Sequence, residues 1–317
     1  MHILIALGRA IVNGEAMQKH PLFAIGLMLA AMFAFASMTA VVRLLSESMH
    51  SSQIVLLRNL FSLALILGWS ALLMRGCPHF ATTRLKSHVW RAMVGFCSMQ
   101  LWFYCLGIMP LTLATALSFT TPIFATLLAM VFLGEKAGIR RLSAIALSFV
   151  GVLIILRPDG SALASSSLLV LLSSALIAWS SLLVKSLTAT DSSETIIFYM
   201  TAFMLVFSLP AGVLAWQPPT AMQLWLAFLV GFFSIVAHLL TTRALALADM
   251  VTLMPFDYTR LLFASVYAYW LFGETMGLHT LIGALIIAAS SVYIAHREAR
   301  LKRRAVVETT LKEGPVL

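Results

Sequence analysis

Gly134-Glu135-Lys136-Ala137-Gly138 recurs as Gly273-Glu274-Thr275-Met276-Gly277, 139 residues further along (273 − 134). Each copy follows one long apolar run and precedes another. At the same offset, Leu106, Phe124, Ala125, Ala129, Leu142 and Ile155 return as Leu245, Phe263, Ala264, Ala268, Leu281 and Ile294. The chain is a duplication. Duplicated helical bundles are a common build for secondary transporters, with the substrate held between the halves.

Composition places both halves in a membrane. Of 317 residues, 61% are hydrophobic and only 10% charged, with a mean hydropathy of +0.98. Soluble domains carry roughly 25% charged residues, so this chain has too few to cover its surface for water. A span takes about 20 apolar residues. Ten windows of that kind occur, at residues 21–43, 52–74, 88–108, 112–133, 139–156, 164–184, 194–215, 221–242, 250–272 and 277–296. The predicted fold is therefore an all-α polytopic membrane protein. A short cytoplasmic segment spans 1–20, five-helix repeats span 21–157 and 158–297, and a basic cytoplasmic tail spans 298–317. The first twenty residues do not read as a secretory signal, because the apolar stretch Ile3–Leu7 is too short. Three cysteines (Cys77, Cys97, Cys105) indicate neither a disulfide framework nor a zinc site, and no metal or cofactor is expected.

Charge placement sets the topology. With the N-terminus inside, ten spans return the C-terminus to the cytoplasm. Seventeen of the 21 basic residues then lie on the inner side, including Arg75–Arg91, Lys136–Arg141 and Arg297–Lys312. Only Arg43 and Arg157 fall at outer ends, while Arg58 and Arg260 lie inside spans. That is a positive-inside pattern. The net charge of +9 is thus a membrane anchor, with the tail against anionic lipid. Nucleic acid is not an expected partner, since the tail has no interleaved aromatic residues. Five spans per half is an odd number, so the halves must be inverted. The basic loop Gly134–Arg141 then faces in, and its repeat Gly273–Thr280, without Lys or Arg, faces out.

The strongest site candidate is Pro255-Phe256-Asp257-Tyr258-Thr259-Arg260 in the ninth span. At 1.5 Å per residue, Asp257 lies roughly 10 Å and Arg260 roughly 15 Å into it. Spacing of i,i+3 places both on one helix face, which must avoid lipid. They read either as a substrate site, Asp257 for an amine and Arg260 for a carboxylate, or as a structural ion pair. In the first half Leu117-Ser118-Phe119-Thr120-Thr121-Pro122 is also proline-interrupted, although Pro122 and Pro255 are not equivalent under the 139 offset. Its hydroxyls bind substrate or join helices. Arg58 either snorkels or faces a cavity and meets an anionic group. Gln100, Trp102 and Tyr104 offer a polar and aromatic wall in the third span, or plain packing. His238 is a hydrogen-bonding or proton-carrying candidate. Glu135 and Glu274 read as structural, beside a helix N-terminus.

These motifs resemble the drug/metabolite transporter superfamily, EamA-type. The resemblance rests on Leu57-Arg58-Asn59, Trp90-Arg91, Pro110 through Glu135, and Pro255–Arg260 running on to Gly273-Glu274. It covers roughly residues 21–297. It implies ten helices in two halves, with the third, fourth, eighth and ninth spans lining a central cavity. Gln100, Tyr104, Ser118, Thr121, His238, Asp257, Tyr258 and Arg260 would then surround one space. The Pro-x-x-Tyr-x-Arg core, with Leu117–Phe124, looks most like the S-adenosylmethionine uptake branch. Asp257 is similar to riboflavin-transporter-like members. The implied activity is secondary transport of a small polar or zwitterionic metabolite across a bacterial inner membrane, by a monomer or homodimer. Amino-acid or metabolite export is an alternative direction.

Other classes fit less well. There is no Walker A pattern, no His-Glu-x-x-His, no Gly-x-Ser-x-Gly and no pair of carboxylates within the spans. An intramembrane enzyme is therefore a distant alternative.

Overall fold

The structure is a computed structural model that describes residues 21–73, 82–132, 139–156, 162–187, 190–191, 193–247, 253, 256–290 and 292–293. The predicted leading segment, Gly134–Gly138, Pro255 and the basic tail lie outside the described residues. Every regular element described is helical, with no strand among the described residues. This follows from solvent: in hydrocarbon a backbone must satisfy its own hydrogen bonds, and a helix does so within one segment.

In chain order the first half contains α1 (Pro21–Leu45), α2 (Ser51–Leu73), α3 (Leu85–Ile108), α4 (Leu111–Ser118), α5 (Thr121–Phe132) and α6 (Ile139–Leu156). The second contains α7 (Ala162–Leu187), α8 (Ser193–Leu214), α9 (Ala221–Leu247), α10 (Thr259–Phe272) and α11 (Leu278–Ser290). Five of these, α1, α2, α7, α8 and α9, are by length and composition sufficient to cross a membrane. The window predicted at 112–133 is two helices, α4 and α5. In the window at 250–272, Leu253, Phe256 and Asp257 are helical, Tyr258 is a turn, and α10 runs on from Thr259. Pro122 is the second residue of α5, in the first turn, where a missing N–H leaves no helical bond unmade.

Packing between the halves comes in matched pairs. Close packing of α1 on α9 is matched by α7 on α3, α2 on α9 by α8 on α3, and α1 on α10 by α7 on α5. The pair α2/α8 maps onto itself when the halves are exchanged. Polar links repeat the pattern. Arg84 Nη1 donates to the Ser186 carbonyl at 2.6 Å, and its counterpart Gln223 (84 + 139) donates to the Ser48 carbonyl at 3.3 Å. One link lies beside the N-terminus of α3, the other beside that of α9.

Glycine permits the closest approaches. A Cβ on Gly283 of α11 would stand 2.6 Å from the Gly151 carbonyl oxygen of α6. One on Gly231 of α9 would stand 2.9 Å from Phe61 Cβ and 3.2 Å from the Ser62 nitrogen of α2. Backbone cannot yield as a flexible side-chain end can. Gly231→Ala is therefore expected to cost about 1–3 kcal/mol. Gly26→Ala, where a Cβ meets nothing within 4 Å, should be neutral or stabilising by up to about 1 kcal/mol through helix propensity. Thermal unfolding of the two variants in the same detergent checks the contrast; equal midpoints would contradict it.

Candidate functional site

The break between α4 and α5 falls at Phe119–Thr120, and the turn opening α10 falls at Tyr258. These are the same repeat position, since 119 + 139 = 258. The interruptions are equivalent although the prolines are not. Thr120 Oγ1 donates to the Leu117 carbonyl at 2.7 Å, and Thr259 Oγ1 (120 + 139) to the Phe256 carbonyl (117 + 139) at 2.6 Å. The hydroxyls thus add a bond to a carbonyl at each break, and the Leu117 carbonyl also accepts the Thr120 N–H at 3.1 Å. Ser118 and Thr121 do likewise, donating to the Thr115 and Ser118 carbonyls at 2.7 and 2.8 Å.

The two breaks meet. Phe119 and Tyr258 pack edge to face, with ring centroids 4.8 Å apart. Arg260 Nη2 donates to Ser118 Oγ at 3.0 Å, and its guanidinium carbon lies 5.4 Å from the centre of the Phe119 ring. Ser118 is the repeat counterpart of Asp257, and Thr121 that of Arg260. One constellation therefore occurs twice, and only the second copy is charged.

A single turn residue, Tyr258, with helical dihedrals (φ −70°, ψ −16°), separates Asp257 from Arg260. They make no ion pair: those among the described residues are Arg43–Glu274 and His88–Asp191. The structural ion-pair alternative thus has no geometry behind it. Asp257 is half-buried beside the N-terminus of α10, where the helix dipole favours a negative charge. Arg260 is half-buried, and its Nε has no hydrogen-bond partner.

A second polar group lies between α2, α8 and α9. Arg58 is 6% exposed and donates from Nη1 to Asn59 Oδ1 at 2.6 Å and from Nη2 to Ser234 Oγ. Asn59 Nδ2 in turn donates to the Met204 carbonyl at 3.3 Å and Ser208 Oγ at 3.4 Å. Arg58 therefore does not snorkel. Largely enclosed, it links α2 to α9. Its neighbour His238, one turn beyond Ser234, packs edge-on against Phe35 at 5.2 Å. Arg58 and Arg91 both lie within Coulombic range of His238.

The remaining candidates stand apart. Gln100 Nε2 donates to Ser51 Oγ at 3.2 Å and Ser52 Oγ at 2.9 Å, tying α3 to the start of α2. Tyr104 is 45% exposed and stacks on no described ring. Glu274 is structural as expected, but it serves a different helix: its Oε2 accepts the Leu111 N–H at 2.9 Å, capping α4. Its Oε1 lies 3.5 Å from Arg43, whose Nη1 also donates to the Leu106 carbonyl at 2.8 Å. Gly273, at φ 64°, makes the left-handed turn that ends α10.

Phe119 is the residue the sequence reading passed over, although the 139 offset pairs it with Tyr258. Arg91, counted to the inner edge by its charge, is half-buried six residues into α3.

Paired helix breaks at one repeat position, with a charged group on one of them, define a duplicated membrane protein of transporter type. The chain belongs to the EamA-like transporter family, whose model matches twice, over residues 22–157 and 164–295. It is 28% identical to the S-adenosylmethionine uptake transporter of Rickettsia bellii, over 83% of this chain and 89% of that one. It is 36% identical to the riboflavin transporter of Rhizobium johnstonii, over 68% and 72%, and 30% identical to that of Vibrio cholerae, over 91% and 98%. A crystal structure with 12% identity superposes at a TM-score of 0.56, covering 86% of this chain and 97% of its own, a likeness of fold alone.

Proposed function

We propose that the chain imports S-adenosylmethionine by alternating access across the bacterial inner membrane. In this reading ten spans form two inverted five-helix halves, residues 21–157 and 158–297, with both termini cytoplasmic. The observation that carries it is the pair of breaks, Phe119 facing Tyr258, with Asp257 and Arg260 on one side only. Asp257 takes the ammonium or sulfonium of the substrate. Arg260 holds the edge of the site through Ser118, and the Phe119 and Tyr258 rings give the adenine an aromatic wall. Exchange of packing partners between the halves supports a rocking motion of one against the other.

Riboflavin is the second reading, favoured by the 36% identity to a riboflavin transporter and by the same aromatic pair. Labelled S-adenosylmethionine and labelled riboflavin, offered to proteoliposomes of the full chain, decide between them. Saturable uptake of the first, competed by its unlabelled form and not by riboflavin, is expected. Uptake of riboflavin alone would replace the substrate; uptake of neither would sink both assignments.

A further inference from the structure

Arg91 is left without a role by the site at the helix breaks. Its Nε and Nη1 are buried and have no hydrogen-bond partner, and no described carboxylate pairs with it. It stands roughly 9 Å along α3, at 1.5 Å per residue, within Coulombic range of His238 on α9. Yet α3 and α9 do not pack closely on each other. Arg91 and His238 therefore interact at longer range, without close packing of their helices. Arg58 borders the same region, and its Nε too is buried without a partner.

Burying guanidinium donors away from water and acceptors is costly, and an apolar residue would cost less. None of Arg58, Arg91 and Arg260 forms an ion pair among the described residues. Arg58, Arg91 and Arg260 thus keep buried guanidinium N–H donors that no described group accepts.

We propose that Arg91, backed by Arg58, is an anion subsite that takes a carboxylate or phosphate group of the transported molecule. It rests on the transporter reading and deepens it. A zwitterion would bridge the two subsites, its cationic end at Asp257 and its anionic end at Arg91. S-adenosylmethionine has such a carboxylate; riboflavin carries no anionic group.

The test uses the full chain in nanodiscs of zwitterionic lipid. Inorganic phosphate is first compared with chloride at matched ionic strength by thermal unfolding. Phosphate is expected to raise the midpoint of the wild type and of Arg84→Gln, a control at the start of α3. Arg91→Gln should lose that shift, and Arg91→Lys, which keeps the charge, should retain part of it. In a second arm, S-adenosylmethionine should bind about tenfold more tightly than its decarboxylated analogue, the scale of one charge-assisted hydrogen bond. Arg91→Gln should bring the two affinities within about twofold.

No phosphate shift in the wild type, or an equal shift in Arg91→Gln, overturns the subsite. So does a shift that needs anionic lipid in the disc, which would assign the arginines to a headgroup. An Arg91-dependent phosphate shift without S-adenosylmethionine binding supports the subsite and discards that substrate.

Discussion

Asp257→Asn is expected to lower the initial rate of substrate uptake at least about a hundredfold while leaving the fold intact. The substitution keeps the size and removes the charge. Truncating one partner of a desolvated charge pair costs about 2–5 kcal/mol, and a hundredfold corresponds to roughly 2.7 kcal/mol. Folding should change little, because Asp257 makes no hydrogen bond or ion pair with a described residue. Asp257 is half-buried and has no described partner to lose, so the net effect should be within about 1 kcal/mol. Uptake and thermal unfolding measured on one preparation separate the two. Wild-type uptake by the variant would make Asp257 a structural residue.

Arg260→Leu should move stability and transport in opposite directions. The guanidinium has a hydrogen bond to Ser118 and the face of Phe119, the latter worth about 0.5–2 kcal/mol. Against this, an arginine at mid-depth costs roughly 3 kcal/mol on insertion scales, and Arg260 has no described counterion. The leucine variant is therefore expected to unfold at the same temperature or higher, with uptake reduced at least about tenfold. A variant that is less stable and still transports would show that Arg260 serves only to join α10 to the first half.

Much of the fold was legible because hydropathy and charge report it directly. Length, apolar windows and the Gly-Glu repeat point to a duplicated helical bundle. The interruptions were legible only in part. Proline marks a missing N–H, and Pro122 and Pro255 suggested inequivalent kinks; the turns instead fall at Phe119–Thr120 and Tyr258. Hydroxyls from Thr120 and Thr259 stabilise those turns, and a threonine in a span is ambiguous between that task and substrate contact. Applying the 139 offset to the polar residues, as it was applied to the apolar ones, would have paired Ser118 with Asp257 and Thr121 with Arg260. Partner choice was not legible. Nothing in Leu57-Arg58-Asn59 tells that Arg58 reaches Ser234, 176 residues away. Nor does Glu274 reveal that it caps α4 rather than the helix that follows it.

Accessibility of position 118 to a membrane-impermeant thiol reagent, from each side of sealed vesicles, bears most directly on a shared site reached from both faces. Ser118→Cys would be placed in a chain whose Cys77, Cys97 and Cys105 are replaced by alanine, once that chain is shown to transport. The account predicts labelling from either side, with substrate slowing both reactions. Labelling confined to one side under every condition, with or without substrate, would contradict alternating access at the two breaks.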